Sequence, residues 1–391
     1  MRKFISYICE MLFNQIIGQE HIKNHLQTSA KNGRIPHAQL FIGKEGSGTL
    51  PMAIAYAQFL LSHFSDNLEA SELKVSKLQH PDLHFAFPVT TNDSVKKHPV
   101  SNLFLQEWRD FIENHPYGSL FNWLRFIGVE NKQGLIGVDE ALEVVKKLQL
   151  KSYEGGFKVM IIWMAEKMNI AASNKLLKLI EEPPEKTIFL LITENEDQII
   201  NTIKSRCQAL HFPVLSEQDI ANALIQREQA SENDALKIAH QAEGNFNKAL
   251  HSLHQDSSDI VFEKWFITWI RSAFKAKGNA AVIQELVAWS ETIAKTGRET
   301  QKQFLEYCLQ FFRQALLLNY KSPDLVFLET QTPKFDLQNF APFVHSENIL
   351  AIEKEISEAM YHIERNGNAK IILLDLSMKL TRFLHKKEAK V

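Results

Sequence analysis

Apolar positions along this chain alternate between helical and strand spacing. From residue 14 the spacing is helical: Ile16, Ile17, Ile22 and Leu26 stand in a mostly polar setting that ends at Gly33, which predicts a turn and a short amphipathic helix. His37-Ala-Gln-Leu-Phe-Ile42 is a compact strand, and Met52 to Leu61, apolar nearly all round, predicts a helix buried against a sheet. His80-Pro-Asp82 signals a turn, after which Leu83, Phe85 and Phe87 alternate with His84 and Ala86 to give another strand. Asp139 to Leu150 predicts a helix and Lys158-Val-Met-Ile-Ile162 a fully buried strand. Ala171 to Glu182 follows as a helix halted by Pro183-Pro184, then Thr187 to Thr193 as a second buried strand. Continuous apolar strands alternating with helices imply a parallel sheet covered on both faces, so the fold class is α/β.

Two regions depart from this alternation. Residues 90–135 are rich in aromatics (Phe104, Trp108, Phe111, Phe121, Trp123, Phe126), with Ser101 placed to cap a helix whose buried face includes Phe104, Trp108, Phe111 and Ile112. This reads as an insertion packed on the domain; the alternative is an exposed aromatic surface for a partner. Past Pro213 the pattern turns helical, beginning with the S-x-x-D capping box Ser216 to Asp219 and broken by a Pro-containing loop near residues 322–343. The expected domains are therefore 1–212, with the insertion at 90–135, then 213–255 and 256–391.

A chain of 391 residues is too long for one ordinary core, which agrees with that division. The formal net charge of −2 supplies no global basic field, so any contact with DNA needs a local patch or a partner. Cys9, Cys207 and Cys308 are few, odd in number and far apart, which fits a reducing compartment, most simply cytosol, and neither a disulfide framework nor a four-cysteine zinc site. Glu10 interrupts the run Phe4 to Cys9 before it reaches the length of a signal core, Met11 is a second possible start, and no later run approaches a membrane span.

The candidate chemistry begins between the first strand and its helix. In G-x-x-x-x-G-K-[ST], glycines let the backbone wrap phosphates, the lysine neutralises charge and the hydroxyl holds Mg²⁺. Here Gly43, Gly46 and Gly48 keep the skeleton, but Thr49 occupies the lysine position and Leu50 the hydroxyl position. Strand, glycine loop and buried helix in succession is the context expected of a phosphate-loop fold.

Further strings make the chain resemble the clamp-loader branch of the AAA+ family, and within it the δ′ class of subunits. Phe13-Asn-Gln-Ile-Ile-Gly-Gln-Glu20 looks like the segment bordering the adenine pocket, and His80-Pro-Asp-Leu-His84 and Tyr153-Glu-Gly-Gly-Phe-Lys158 are similar to δ′ phrases. Asn174-Lys-Leu-Leu-Lys-Leu-Ile-Glu-Glu-Pro-Pro184 and Ile203-Lys-Ser-Arg-Cys207 are similar to strings of clamp loaders generally. The resemblance implies a P-loop AAA+ domain, a small helical lid and an all-helical collar. The collar match is weaker and rests on Gly297 to Leu305 and Asn366 to Leu376.

Three departures bear on activity. The strand that should deliver Mg²⁺-binding acids runs into Trp163 and Met164, with Glu166 the first carboxylate. Where the lid of catalytic relatives supplies an arginine, Asn247 stands, with Lys248 adjacent. With Thr49 these changes remove the partners of phosphate charge, metal and water, so no hydrolysis and no cofactor of its own is expected, passive nucleotide binding being left open. Arg206, flanked by Ser205 and Cys207, matches the arginine that enters a neighbouring subunit's nucleotide site; a surface arginine near a strand start, or a buried arginine paired with a carboxylate, is the plainer reading. The implied partners are γ/τ-type ATPase subunits and a δ-type subunit in a hetero-pentamer, with sliding clamp and primed DNA reached through the complex.

Other readings are an active ATPase using Lys44 or Lys248, and a DNA-binding adaptor. His63, His80 and His84 read as turn and surface residues, not zinc ligands; Glu181-Glu182 suggests subunit packing; Ser47 and Ser205 lack a base partner; Trp265, Trp269 and Trp289 read as helix-packing residues.

Overall fold

The computed structural model describes residues 13–63, 74, 77–129, 132–153, 156–254, 257–322, 325, 326, 328, 330, 332 and 335–387. Cys9, Met11 and the run from Phe4 to Glu10 lie outside the described residues, as do Glu154 and Gly155 of the Tyr153 to Lys158 string. The chain divides into two compact units with a break after Leu253.

The first unit is built on a five-stranded sheet in the order β2-β3-β4-β1-β5. Its strands are β1 (Ala38–Ile42), β2 (Leu83–Ala86), β3 (Lys158–Ile162), β4 (Thr187–Thr193) and β5 (Gln208–His211). Every pairing is parallel, with Ala38 opposite Phe189, Val159 opposite Leu83 and Gln39 opposite Gln208. Because successive strand residues point to opposite faces, each central strand feeds two cores. Val159, Ile161, Leu190 and Ile192 join one cluster, while Met160, Ile162, Phe189 and Leu191 join the other.

Helices α1 (Glu20–Lys31) and α2 (Thr49–His63) cover the first face. The aromatic segment adds α3 (Leu105–Asn114) and α4 (Leu120–Phe126) to the same cluster. Helices α5 (Val138–Gln149) and α6 (Ile170–Glu181) cover the second face. The α/β class and the helix and strand order read from the apolar pattern therefore hold. Strand β5 escapes that pattern because it is a short edge strand whose residues are mostly exposed, so burial imposes no periodicity on it.

The insertion is packed, not displayed. The Trp108 ring stacks on Phe87 at 4.1 Å and meets Trp123 edge-on at 5.2 Å, and Trp123 Nε1 donates to the Pro88 carbonyl at 2.8 Å. Phe126 alone of the six aromatics is exposed, at 41%. Ser101 does not cap α3: its hydroxyl accepts from Phe87 N at 2.9 Å and its own N–H donates to the buried carboxylate of Glu140, tying the insertion to β2 and α5. The short α7 (Asn201–Lys204) leads into β5, and α8 (Glu217–Glu228), α9 (Glu232–Ala242) and α10 (Phe246–His254) close the unit.

In the second unit α11 (Ser257–Lys275), α12 (Ala280–Ala294), α13 (Arg298–Asn319), the short α14 (Leu337–Phe340), α15 (Ser346–Glu364) and α16 (Ala369–Phe383) share one core. Trp269 and Trp289 stack at 5.0 Å within it, Trp269 Nε1 donates to Ser377 Oγ at 2.8 Å and Trp289 Nε1 to the Trp265 carbonyl at 3.0 Å. Among the described residues no helix is long and apolar enough to cross a membrane.

Candidate functional site

The glycine loop joins β1 to α2, and its curvature depends on two left-handed residues, Gly46 (φ +72°) and Gly48 (φ +91°). Ser47 is fully buried and donates from Oγ to the Lys44 carbonyl at 2.6 Å, which tightens the turn and removes it as a nucleophile candidate. A Cβ on Gly43 would lie 2.7 Å from Ser47 Oγ and 2.8 Å from Phe212 Cβ, so the loop closes tightly on the end of β1 with Phe212, just past β5, packed against it. Thr49 is only 9% exposed and Leu50 3%. The positions where a phosphate-binding loop presents charge and hydroxyl to a ligand are here part of a packed interior.

What covers the loop comes from three distant stretches. The α9–α10 turn lies on Gly46: Phe246 N donates to the Gly46 carbonyl at 3.3 Å, and a Cβ there would fall 2.0 Å from Asn245 Oδ1. Gln19 Nε2 donates to the Ser47 carbonyl at 3.0 Å and to the Pro213 carbonyl at 2.7 Å, stitching the N-terminal segment to both loop and sheet. From the insertion, Tyr117 packs over Gly48 and accepts at its hydroxyl from Ile17 N at 2.8 Å.

Asn247 occupies the place assigned above to a phosphate-contacting arginine. Its Nδ2 donates to Glu45 Oε1 at 2.8 Å and to Asn122 Oδ1 at 2.9 Å, so it bridges the loop and the insertion. Asn122 also closes a capping box with Ser119 at the start of α4. The departure at the end of β3 is equally absorbed into structure. Trp163, just past β3, lies 5.0 Å from Trp108 in the aromatic cluster. Glu166 Oε1 accepts from Glu194 N at 3.1 Å, tying the end of β3 to the end of β4, and burial raises its carboxyl above the ordinary value.

Arg206 stands apart from this cluster, between α7 and β5. Its Nη2 donates to Glu181 Oε1 at 2.9 Å, its Nη1 to the Thr202 carbonyl at 2.9 Å, and its side chain keeps 33% exposure. The hydrogen bond from Arg206 holds Glu181 below the ordinary carboxylate range. The guanidinium is thus paired with a carboxylate and still at the surface. Ser205 is exposed, with its hydroxyl on the Thr202 carbonyl, while burial pushes the Cys207 thiol up to about 11. Lys44 is exposed at the loop's start.

His80 is buried, contrary to the surface reading, because its Nδ1 accepts from Asp82 N at 3.1 Å in the turn before β2. Burial, with Lys147 adding to it, lowers His84 to about 4. Among the described residues no group of three or more His, Cys, Asp or Glu is placed to hold a metal ion. Sequence reasoning picked out the glycines and Asn247 but missed Tyr117, Asn122, Asn245 and Glu45. Tyr117 sits in the turn His115-Pro-Tyr-Gly118, where nothing local marks it.

Residues 18–216, about half of the chain, match the family described as DNA polymerase III, delta subunit. The DNA polymerase III subunit tau of Bacillus subtilis (strain 168) is 29% identical over 257 residues, 64% of this chain and 39% of that protein. The DNA polymerase III subunit delta' of the same organism is 28% identical over 214 residues, covering 54% of this chain and 52% of that protein. The DNA polymerase III subunit delta' of Escherichia coli (strain K12) is 36% identical over 110 residues, 28% of this chain and 33% of that protein. The chain spans about half or less of the length of these curated relatives.

Proposed function

Because this chain belongs to the DNA polymerase III, delta subunit family, within the clamp-loader branch of AAA+ proteins, we propose that it is a δ′-type subunit that hydrolyses no ATP and lends Arg206 to a neighbouring ATPase. Relatives named tau and delta' both match, so the subtype rests on the site. The observation that carries it is the loop: Thr49 and Leu50 replace the lysine and hydroxyl, both are buried, and Asn247 is engaged by Glu45 and Asn122. A phosphate arriving there would find no lysine at the start of α2, the loop's one basic residue being Lys44 at its entrance. Arg206, by contrast, is at the surface with a charge that a phosphate can take over from Glu181.

In this reading residues 213–255 are a lid immobilised on an idle loop, residues 256–391 form the collar, and the subunit acts as a rigid member of a hetero-pentamer with γ/τ-type and δ-type subunits. The sliding clamp and primed DNA are reached through that complex, in the cytoplasm. Arginine fingers measured in other phosphoryl-transfer systems accelerate the step by roughly 10³ to 10⁵. The test is reconstitution with Arg206→Ala, scored by DNA- and clamp-stimulated ATPase with ring formation measured in parallel. Assembled rings with reduced turnover are expected; assembled rings with undiminished turnover remove the role of Arg206. Steady-state hydrolysis by the isolated chain, abolished by Lys44→Ala, would instead establish an active ATPase.

A further inference from the structure

We propose that Tyr117 is the resident occupant of the pocket over the phosphate loop, an intramolecular stand-in for a nucleotide, and that nucleotide can reach this loop only when the Tyr117 turn lifts away. This goes beyond the reading above and holds whether or not Arg206 acts in trans. A nucleotide base is a flat aromatic group whose faces pack on apolar walls while its polar edge bonds to backbone, and a phenol offers the same combination. Tyr117 meets each requirement here. Its hydroxyl takes the Ile17 N–H at 2.8 Å, in the segment whose sequence resembles the border of an adenine pocket. Its ring comes within 3.2 Å of where a Gly48 side chain would begin, and meets Phe246 edge-on at 5.0 Å. Loop, N-terminal segment and lid-like helices therefore converge on one side chain, and Ile17, Leu215, Ile220 and Phe246 form a single buried cluster with it. The Arg227 guanidinium beside the hydroxyl also donates to the Gln15 carbonyl, so a cation of α8 is committed to holding the closed arrangement.

The turn bearing Tyr117 is anchored on both sides. Gly118 N donates to the His115 carbonyl at 2.9 Å, Ser119 caps α4, and Asn122 is held by Asn247. On the other flank Phe111 packs against Trp108 at 5.8 Å. Lifting the ring therefore means breaking the Ile17 hydrogen bond and exposing a buried aromatic surface. This gives the aromatic insertion a purpose: its packing fixes a plug.

The test uses the full-length protein in four forms: unaltered, Thr49→Lys, Tyr117→Ala, and the two changes together. Binding of Mg-ADP is measured by calorimetry, with folding checked by circular dichroism. Returning the lysine alone is expected to give no saturable binding at millimolar nucleotide, and the double variant to bind at least about tenfold tighter, a difference of roughly 1.4 kcal/mol. Thr49→Lys binding as tightly as the double variant would overturn the proposal, and so would a folded double variant that gains nothing. Should the double variant fail to fold, hydrogen exchange over residues 105–126 of Thr49→Lys decides. No binding, or binding with faster exchange there, supports the plug; binding with that exchange unchanged refutes it.

Discussion

Gly46 is where the loop tolerates least. Its φ of +72° belongs to the left-handed region, and an added Cβ would fall 2.0 Å from Asn245 Oδ1 and 2.7 Å from Phe246 N, the latter a backbone atom that cannot swing aside. Gly46→Ala is therefore expected to destabilise the protein by about 2–4 kcal/mol, roughly 1 kcal/mol from the backbone and the rest from displaced packing. Gly33 supplies the control, since it shares the left-handed backbone (φ +70°) but has nothing within 4 Å of its would-be Cβ. Urea titration of the two variants should show Gly33→Ala near the backbone term alone; equal losses would mean that the Asn245 turn is not tightly seated. His84 makes a second prediction at this scale. With burial lowering its imidazole from 6.5 to about 4, the native state binds fewer protons than the unfolded chain between those values. Its contribution is complete above the unfolded pKa and disappears as pH falls toward 4. The stability advantage of the unaltered protein over His84→Gln should shrink by about 2–3 kcal/mol between pH 7 and pH 4; a constant difference across that range rules out the buried imidazole as its source.

At the scale of elements, the segments His80 to His84 and Ser152 to Lys158 around β2 and β3 act as a brace. Asp82 accepts from Ser152 Oγ at 3.0 Å and from Tyr153 N at 2.9 Å, while Lys158 Nζ donates to the carbonyls of Leu148 and Leu150 at 2.6 and 2.7 Å. The lysine thus satisfies carbonyls at the C-terminal end of α5, where a positive charge also opposes the helix dipole. Lys158→Met keeps the stem but strips the donors, and should cost roughly 1.5–3 kcal/mol. Hydrogen exchange would localise the loss to the end of α5, and a uniform change over the sheet would contradict this assignment. This brace also marks the limit of what the sequence discloses. The strands β1, β3 and β4 were legible because burial on both faces forces uninterrupted apolar runs, and the loop was legible because left-handed turns select glycine. Tyr117 and Asn122 were not, because their partners Ile17 and Asn247 lie far away in sequence and the contacts are made by polar side chains with no periodicity. Ser101 was misread as a cap for the same reason: its hydroxyl and N–H are claimed by Phe87 and Glu140.

Over the whole molecule, six tryptophans divide evenly and report on two separate cores. Trp108, Trp123 and Trp163 belong to the first unit, whereas Trp265, Trp269 and Trp289 lie in the second among helices α11 to α16. The sequence placed the change to helices after Pro213 and a domain boundary after residue 255; the compact units part after Leu253. The core of the second unit is closed on itself: Trp269 stacks on Trp289 with planes 5° apart, Phe266 and Phe311 meet at 4.1 Å, and Ser377 of the last helix takes the Trp269 N–H. Cores that share no side chains unfold independently unless the units stabilise each other. Residues 257–391, expressed alone, should therefore melt cooperatively and keep the near-ultraviolet circular dichroism of the stacked tryptophan pair. Trp269→Phe should abolish that signal in the fragment and weaken it in the whole protein while leaving the fluorescence of the first unit's tryptophans in place. A fragment with helical content but no tryptophan signal and no sharp transition would show that the second core forms only with the help of the first.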